Sequence, residues 1–210
     1  MRRLLCFLLV GGFLVGASDA HQSSRRAAQP TVIDLDGDGF AFTGAEDGVY
    51  VDIDGDGIKE QTAWTSQGDD DAFLCVDDNK NGLIDVPFEL VGGPLGPPVG
   101  LATLAAMDGI GLGDRERIRD RRPDGSLDKA DAFFASIILW TDANQNGRSE
   151  EDELQSLAYA GIDRIATGYE GIGSVDGAGN TLQYRAFATR AGRRGVPLMR
   201  EVVTVKLLRQ

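Results

Sequence analysis

Aspartate or asparagine recurs at every second position in four short runs, and each run ends on glycine: "DLDGDG" from Asp34, "DIDGDG" from Asp52, "DDNKNG" from Asp77 and "DANQNG" from Asp142. This feature constrains the fold more than any other. Asp, Asn and Gly are poor strand and helix interiors, so each run must be a turn. Like charges held two residues apart repel one another, so the turn must gain something from its charge. A hard cation asks for this pattern. Oxygen ligands come from loop positions 1, 3 and 5, glycine at 6 allows the sharp turn, position 7 gives a carbonyl, and a later carboxylate closes the shell.

Set against that template, Asp34, Asp36 and Asp38 fill the ligand positions before Gly39, but Phe42 and Ala45 stand where the closing ligands belong. This loop needs a ligand from outside, and Glu46 is the nearest in sequence. Asp52, Asp54 and Asp56 precede Gly57, with Glu60 at position 9. Asp77, Asn79 and Asn81 precede Gly82, with Asp85 at 9 and Glu89 one place beyond 12. Asp142, Asn144 and Asn146 precede Gly147, and Glu150 and Glu153 stand at 9 and 12, the full twelve-residue EF-hand pattern. A fifth run is damaged: Asp120, Asp124, Gly125, Asp128 and Asp131 fit, but Arg122 puts a cation at position 3. Little or no binding is expected there. Any one loop reads equally as a solvated turn, but four matches in one acidic chain point to bound calcium, three to four ions in all.

The formal net charge of −12 fits that reading and argues against nucleic acid and anionic membrane surfaces, which select basic patches. The first twenty residues have a basic start, an apolar run from Leu4 to Gly16 and small residues before a cut, which reads as a secretory signal peptide. The apolar run is too short to span a bilayer, so the mature chain is expected to be secreted or periplasmic, with no membrane span. Cys6 leaves with that peptide, and Cys75 is left without a disulfide partner. Calcium would be the missing staple.

The rest of the chain reads as a flexible arm (21–31), a β and loop segment (32–91), a proline-rich loop (92–100), a helical segment (101–169) and an antiparallel β tail (170–210), with 32–210 forming one domain. "LATLAAMD" reads as a short helix. "LDKADAFFASIILW" and "SEEDELQSLAYAGI" read as two longer ones, the first burying Phe133, Phe134, Ile137, Ile138 and Trp140, the second starting with acids at its positive end. The expected fold class is α+β: short antiparallel strands with a helical EF-hand-like segment around acidic loops.

The order of motifs resembles a calcium-binding region of RTX-type secreted bacterial proteins, without their nonapeptide repeats. The resemblance is carried by "VIDLDGDGF", "GVYVDIDGDGIKEQTAW", "GDDDAFLCVDDNKNGLIDVPFELVGG", "LATLAAMD", "DGSLDKADAFF" and "LWTDANQNGRSEEDELQSLAYAGIDRI", over about residues 32–169. It implies that Glu89 is a ligand and that the residue ending the short helix, Asp108, begins the fourth loop. Here "GIGLGDRERIRDRRP" intervenes, so Asp108 or Asp120 serves, or the site is lost. The self-cleavage at an Asp-Pro bond known in some relatives is not implied, because no proline of this chain follows an aspartate.

The expected function is that of a secreted, non-enzymatic calcium-binding protein whose fold the ion stabilises. The alternative is a dockerin-like adhesion or scaffold module that engages an extracellular protein or glycan. An enzyme is disfavoured, since the single histidine, His21, lies in the arm, and zinc ligands are lacking. Asp69, Asp70 and Asp71 remain, to complete a neighbouring metal shell, cap a helix or be solvated.

Overall fold

The computed structural model describes residues 27–94, 100–108, 123–192 and 195–210. The signal peptide, most of the arm, the basic island and the fifth run's Asp120 and Arg122 lie outside the described residues.

In chain order the elements are β1 (Thr31–Ile33), β2 (Val49–Val51), β3 (Glu60–Thr62), β4 (Ala72–Val76), helix α1 (Leu101–Met107), β5 (Ser126–Asp128), β6 (Ile137–Trp140), β7 (Leu154–Ser156), β8 (Ile162–Ala166), β9 (Glu170–Val175), β10 (Thr181–Arg190) and β11 (Leu198–Lys206). Nine strands make one curled antiparallel sheet in the order β5-β8-β10-β11-β1-β4-β6-β7, with β9 beside β10; β2 and β3 form a separate hairpin.

The central strands bury both faces. Successive side chains of a strand point to opposite sides, and neighbours in sequence fall into different cores. Ile33, Leu74, Leu139 and Val202 pack on one side, with Leu101 and Leu104 of α1 and with Leu127, Ile162 and Ile165. Val32, Phe73, Trp140 and Val203 pack on the other, with Trp64 and Leu90. On that side the rings of Trp64, Phe73 and Trp140 touch, with centroids 4.5–5.7 Å apart.

The expected α+β class is therefore corrected: the described chain is mostly β, with one short α-helix. Helix α1 stands at "LATLAAM", its first N–H held by Thr204 Oγ1 at 2.9 Å. The two longer helices do not form. "AFFASIILW" makes a single 3₁₀ turn at Phe134–Ser136 and then becomes β6, which pairs Phe73 with Trp140 and Val76 with Ile137. "SEEDELQS" makes a 3₁₀ turn at Glu151–Glu153 and becomes β7. A short apolar run buried on all sides has no amphipathic period to separate helix from strand. Here β4, apolar on both faces, offers β6 a ladder, and Ile137 and Ile138 are β-branched.

Two further readings change. The last residues of the supposed arm are tied down: Ala28 N–H donates to Ile53 O at 2.9 Å, Gln29 N–H to Gly92 O at 2.8 Å, and Thr31 is fully buried in β1. The tail does pair β10 with β11, but Val202–Val205 are buried on both faces, because Val202 packs into one core and Val203 and Val205 into the other.

Candidate metal centre

Four acidic turns hang from this sheet and one more joins β2 to β3, and all close in the same way. The first carboxylate accepts the N–H of the loop glycine: Asp34 from Gly39 at 3.0 Å, Asp52 from Gly57 at 2.9 Å, Asp77 from Gly82 at 2.9 Å and Asp142 from Gly147 at 2.8 Å. Each of these glycines has a positive φ, between 69° and 103°, which a side chain would resist. In the fifth turn the first carboxylate is Asp108, at the end of α1. It accepts from Gly125 N–H at 3.0 Å, Asp124 N–H at 3.2 Å and the Thr167 hydroxyl at 2.8 Å. Asp108 is 5% exposed and Asp131, at the twelfth position counted from Asp120, 9%. Asp108 and Gly125, seventeen residues apart in sequence, are thus held together.

In the first turn the carboxylates of Asp34, Asp36 and Asp38 converge with Asp70, all within 4.8 Å of one another. The carboxylate that joins this turn from outside is Asp70, from the stretch before β4; Glu46 is absent from the group. Among the described residues no lysine or arginine makes an ion pair with any of the four. Asp36 raises the Asp38 carboxyl above its ordinary value, and burial beside Asp36 and Asp34 pushes Asp70 up to about 6. Asp71, 1% exposed, is pushed up to about 8 by burial, although Ala41 N–H donates to its Oδ2 at 2.8 Å.

In the second turn Asp52, Asp54 and Glu60 converge within the same distance. Asp56 does not join them; its Oδ1 accepts Ile58 N–H at 2.8 Å. Arg209 already pairs with Asp54 at 2.8 Å, and burial raises the Glu60 carboxyl.

The third and fourth acidic turns, at 77–89 and 142–153, are near copies. The Nδ2 groups of Asn79 and Asn81 donate to Asp85 at 3.2 and 2.9 Å, as those of Asn144 and Asn146 do to Glu150 at 3.3 and 2.8 Å. A 3₁₀ turn then brings back a buried glutamate. Glu89 accepts Asp85 N–H at 2.9 Å, while Glu153 accepts Glu150 N–H and the Trp140 indole N–H, both at 3.3 Å. The other oxygen of Glu153 is buried without a partner. Burial raises the carboxyls of Asp142 and Glu153, and Asn146 lowers that of Glu150. The two turns meet at their eighth positions, where Ser149 Oγ accepts Ile84 N–H at 2.7 Å and donates to Ile84 O at 3.1 Å.

The side-chain donors are carboxylate and amide oxygens, which suit a hard divalent cation, and one Glu153 oxygen is buried with no hydrogen-bond partner. Cys75 plays no part here; burial pushes its thiol well up, and it packs as a small hydrophobe. Sequence reasoning found the turns themselves. It did not place Asp70 in the first turn, and its only signal was the acidic triplet. At the ends of the turns at 77–89 and 142–153 the chain makes 3₁₀ turns and not α-helices.

No described helix is long and apolar enough to cross a membrane. The SPM domain family model matches residues 31–196. "Iron-regulated protein FrpA" of Neisseria meningitidis serogroup C is 34% identical over 170 residues, covering 77% of this chain but 14% of that protein. On a family match that runs from β1 to the threshold of β11, this chain belongs to the SPM domain family.

Proposed function

We propose that this protein is an exported, non-enzymatic calcium-binding module whose fold is stabilised by the bound ions. The observation that carries the proposal is the convergence of Asp34, Asp36, Asp38 and Asp70 within 4.8 Å with no basic partner among the described residues. Four carboxylates so close repel unless protonated or met by a cation. Asp34, Asp36, Asp38 and Asp70 would hold one ion and Asp52, Asp54 and Glu60 a second. Two more would sit in the turns at 77–89 and 142–153. Asp108, Asp124, Asp128 and Asp131 give the interrupted loop the same donors. Calcium supplies the positive charge, and the chain holds its own carboxylates in place with backbone N–H groups.

Export rests on the signal-like first twenty residues together with the resemblance to secreted proteins. The test is calorimetric titration of the protein with calcium. Three or more sites filled at about millimolar calcium or below would agree with the proposal, given the 10⁻⁴–10⁻³ M range of extracellular calcium modules. No heat of binding at that concentration would refute it.

A further inference from the structure

Ahead of β4 the chain places Asp69, Asp70 and Asp71 in succession, after a turn at Gly68 that has φ +79°. Their carboxylates also lie within 4.8 Å of one another, so Asp70 belongs to two groups at once: this triplet, and the cluster with Asp34, Asp36 and Asp38. Oxygens on opposite sides of a calcium ion stand roughly 4.6–5.2 Å apart, twice the usual bond length. Each group is therefore the size of one ion's shell.

Asp71 supplies the independent sign of a ligand. It is 1% exposed, Ala41 N–H fixes its Oδ2, and its Oδ1 is buried with no hydrogen-bond partner. A buried acceptor left unmade is costly. Asp69 is also fixed, its Oδ1 accepting Asp71 N–H at 3.1 Å. An ion among Asp34, Asp36, Asp38 and Asp70 leaves this oxygen unserved. One dication against the six carboxylates would also leave most of their repulsion in place.

We infer that Asp69, Asp70 and Asp71 hold a second divalent cation beside the one in the first turn, with Asp70 bridging the two. The inference rests on the calcium reading of the first turn and extends it from one ion to a pair.

The test counts calcium ions by native mass spectrometry of the full chain and of Asp36→Asn, Asp71→Asn and the double variant. Asparagine at 71 keeps an acceptor for Ala41 N–H, and circular dichroism reports whether the fold survives. Should Asp71→Asn not fold, Asp69→Asn takes its place. Each single variant is expected to lose one ion and the double variant two. A full count in Asp71→Asn, or a double variant that loses only one ion, would overturn the paired site and leave the first-turn ion standing. A wild type that carries no calcium would remove the first-turn ion too.

Discussion

Asp71 shows how a single side chain records the charge problem. Its carboxyl sits near 8 and that of Asp70 near 6, against an ordinary value of 3.8, with burial the leading cause for both. In the folded chain these acids hold protons that the unfolded chain has released between about pH 4 and 8, so their contribution to stability falls as pH rises across that window. Without calcium, the melting temperature is expected to be higher at pH 5 than at pH 8, and Asp71→Asn should flatten that slope. Melts in chelator across the pH range measure both. Asp108 carries a second prediction. Asp108→Ala strips the acceptor from two backbone N–H groups and a hydroxyl, and should cost about 2–4 kcal/mol in denaturant unfolding. Asp120→Ala is expected to cost less than Asp108→Ala, since Asp108 already closes that turn on Gly125.

At the scale of elements, legibility followed how local the physics was. The turns could be read because aspartate, glycine and their spacing decide their own geometry, from Asp34 closing on Gly39 to Asp142 closing on Gly147. "FFASIILW" was misread because its state depends on β4, more than sixty residues away. Glu150 to Glu153 carried the acids of a helix start but support one 3₁₀ turn, since Leu154–Ser156 find a ladder on β6. The triplet with Asp70 could be read as completing a neighbouring shell, but not which one, because Asp70 stands more than thirty residues from Asp34. The strand assignment predicts that Leu139→Ala, at a fully buried position of β6, costs about 2–5 kcal/mol. Half-buried Ile138→Ala should cost distinctly less. Equal losses in urea unfolding would speak against a β6 that buries Leu139 fully and Ile138 only in part. Ser149→Ala removes the hydroxyl that joins the turns at 77–89 and 142–153. It should cost about 1–3 kcal/mol and weaken any cooperativity between their ions in a calcium titration.

Over the whole molecule, the acidic turns crowd around a sheet whose two cores are apolar and complete, so the net charge of −12 is concentrated where the chain is least regular. Among the described residues no disulfide restrains those turns, since Cys75 is free and buried. Sites with Kd of about 10⁻⁴–10⁻³ M each contribute about 0.4–1.4 kcal/mol at millimolar calcium, and four of them several kcal/mol. That is comparable with the whole stability margin of a domain. The most direct measurement is the thermal melt of the protein in about 1 mM calcium and in excess chelator, at pH 7.5. The account predicts a fall of about 3–20 °C when calcium is removed, at roughly 2–4 °C per kcal/mol for a chain of this size. Equal melting temperatures in the two buffers would contradict it, and the acidic turns would then be solvated reversals with no ion to hold.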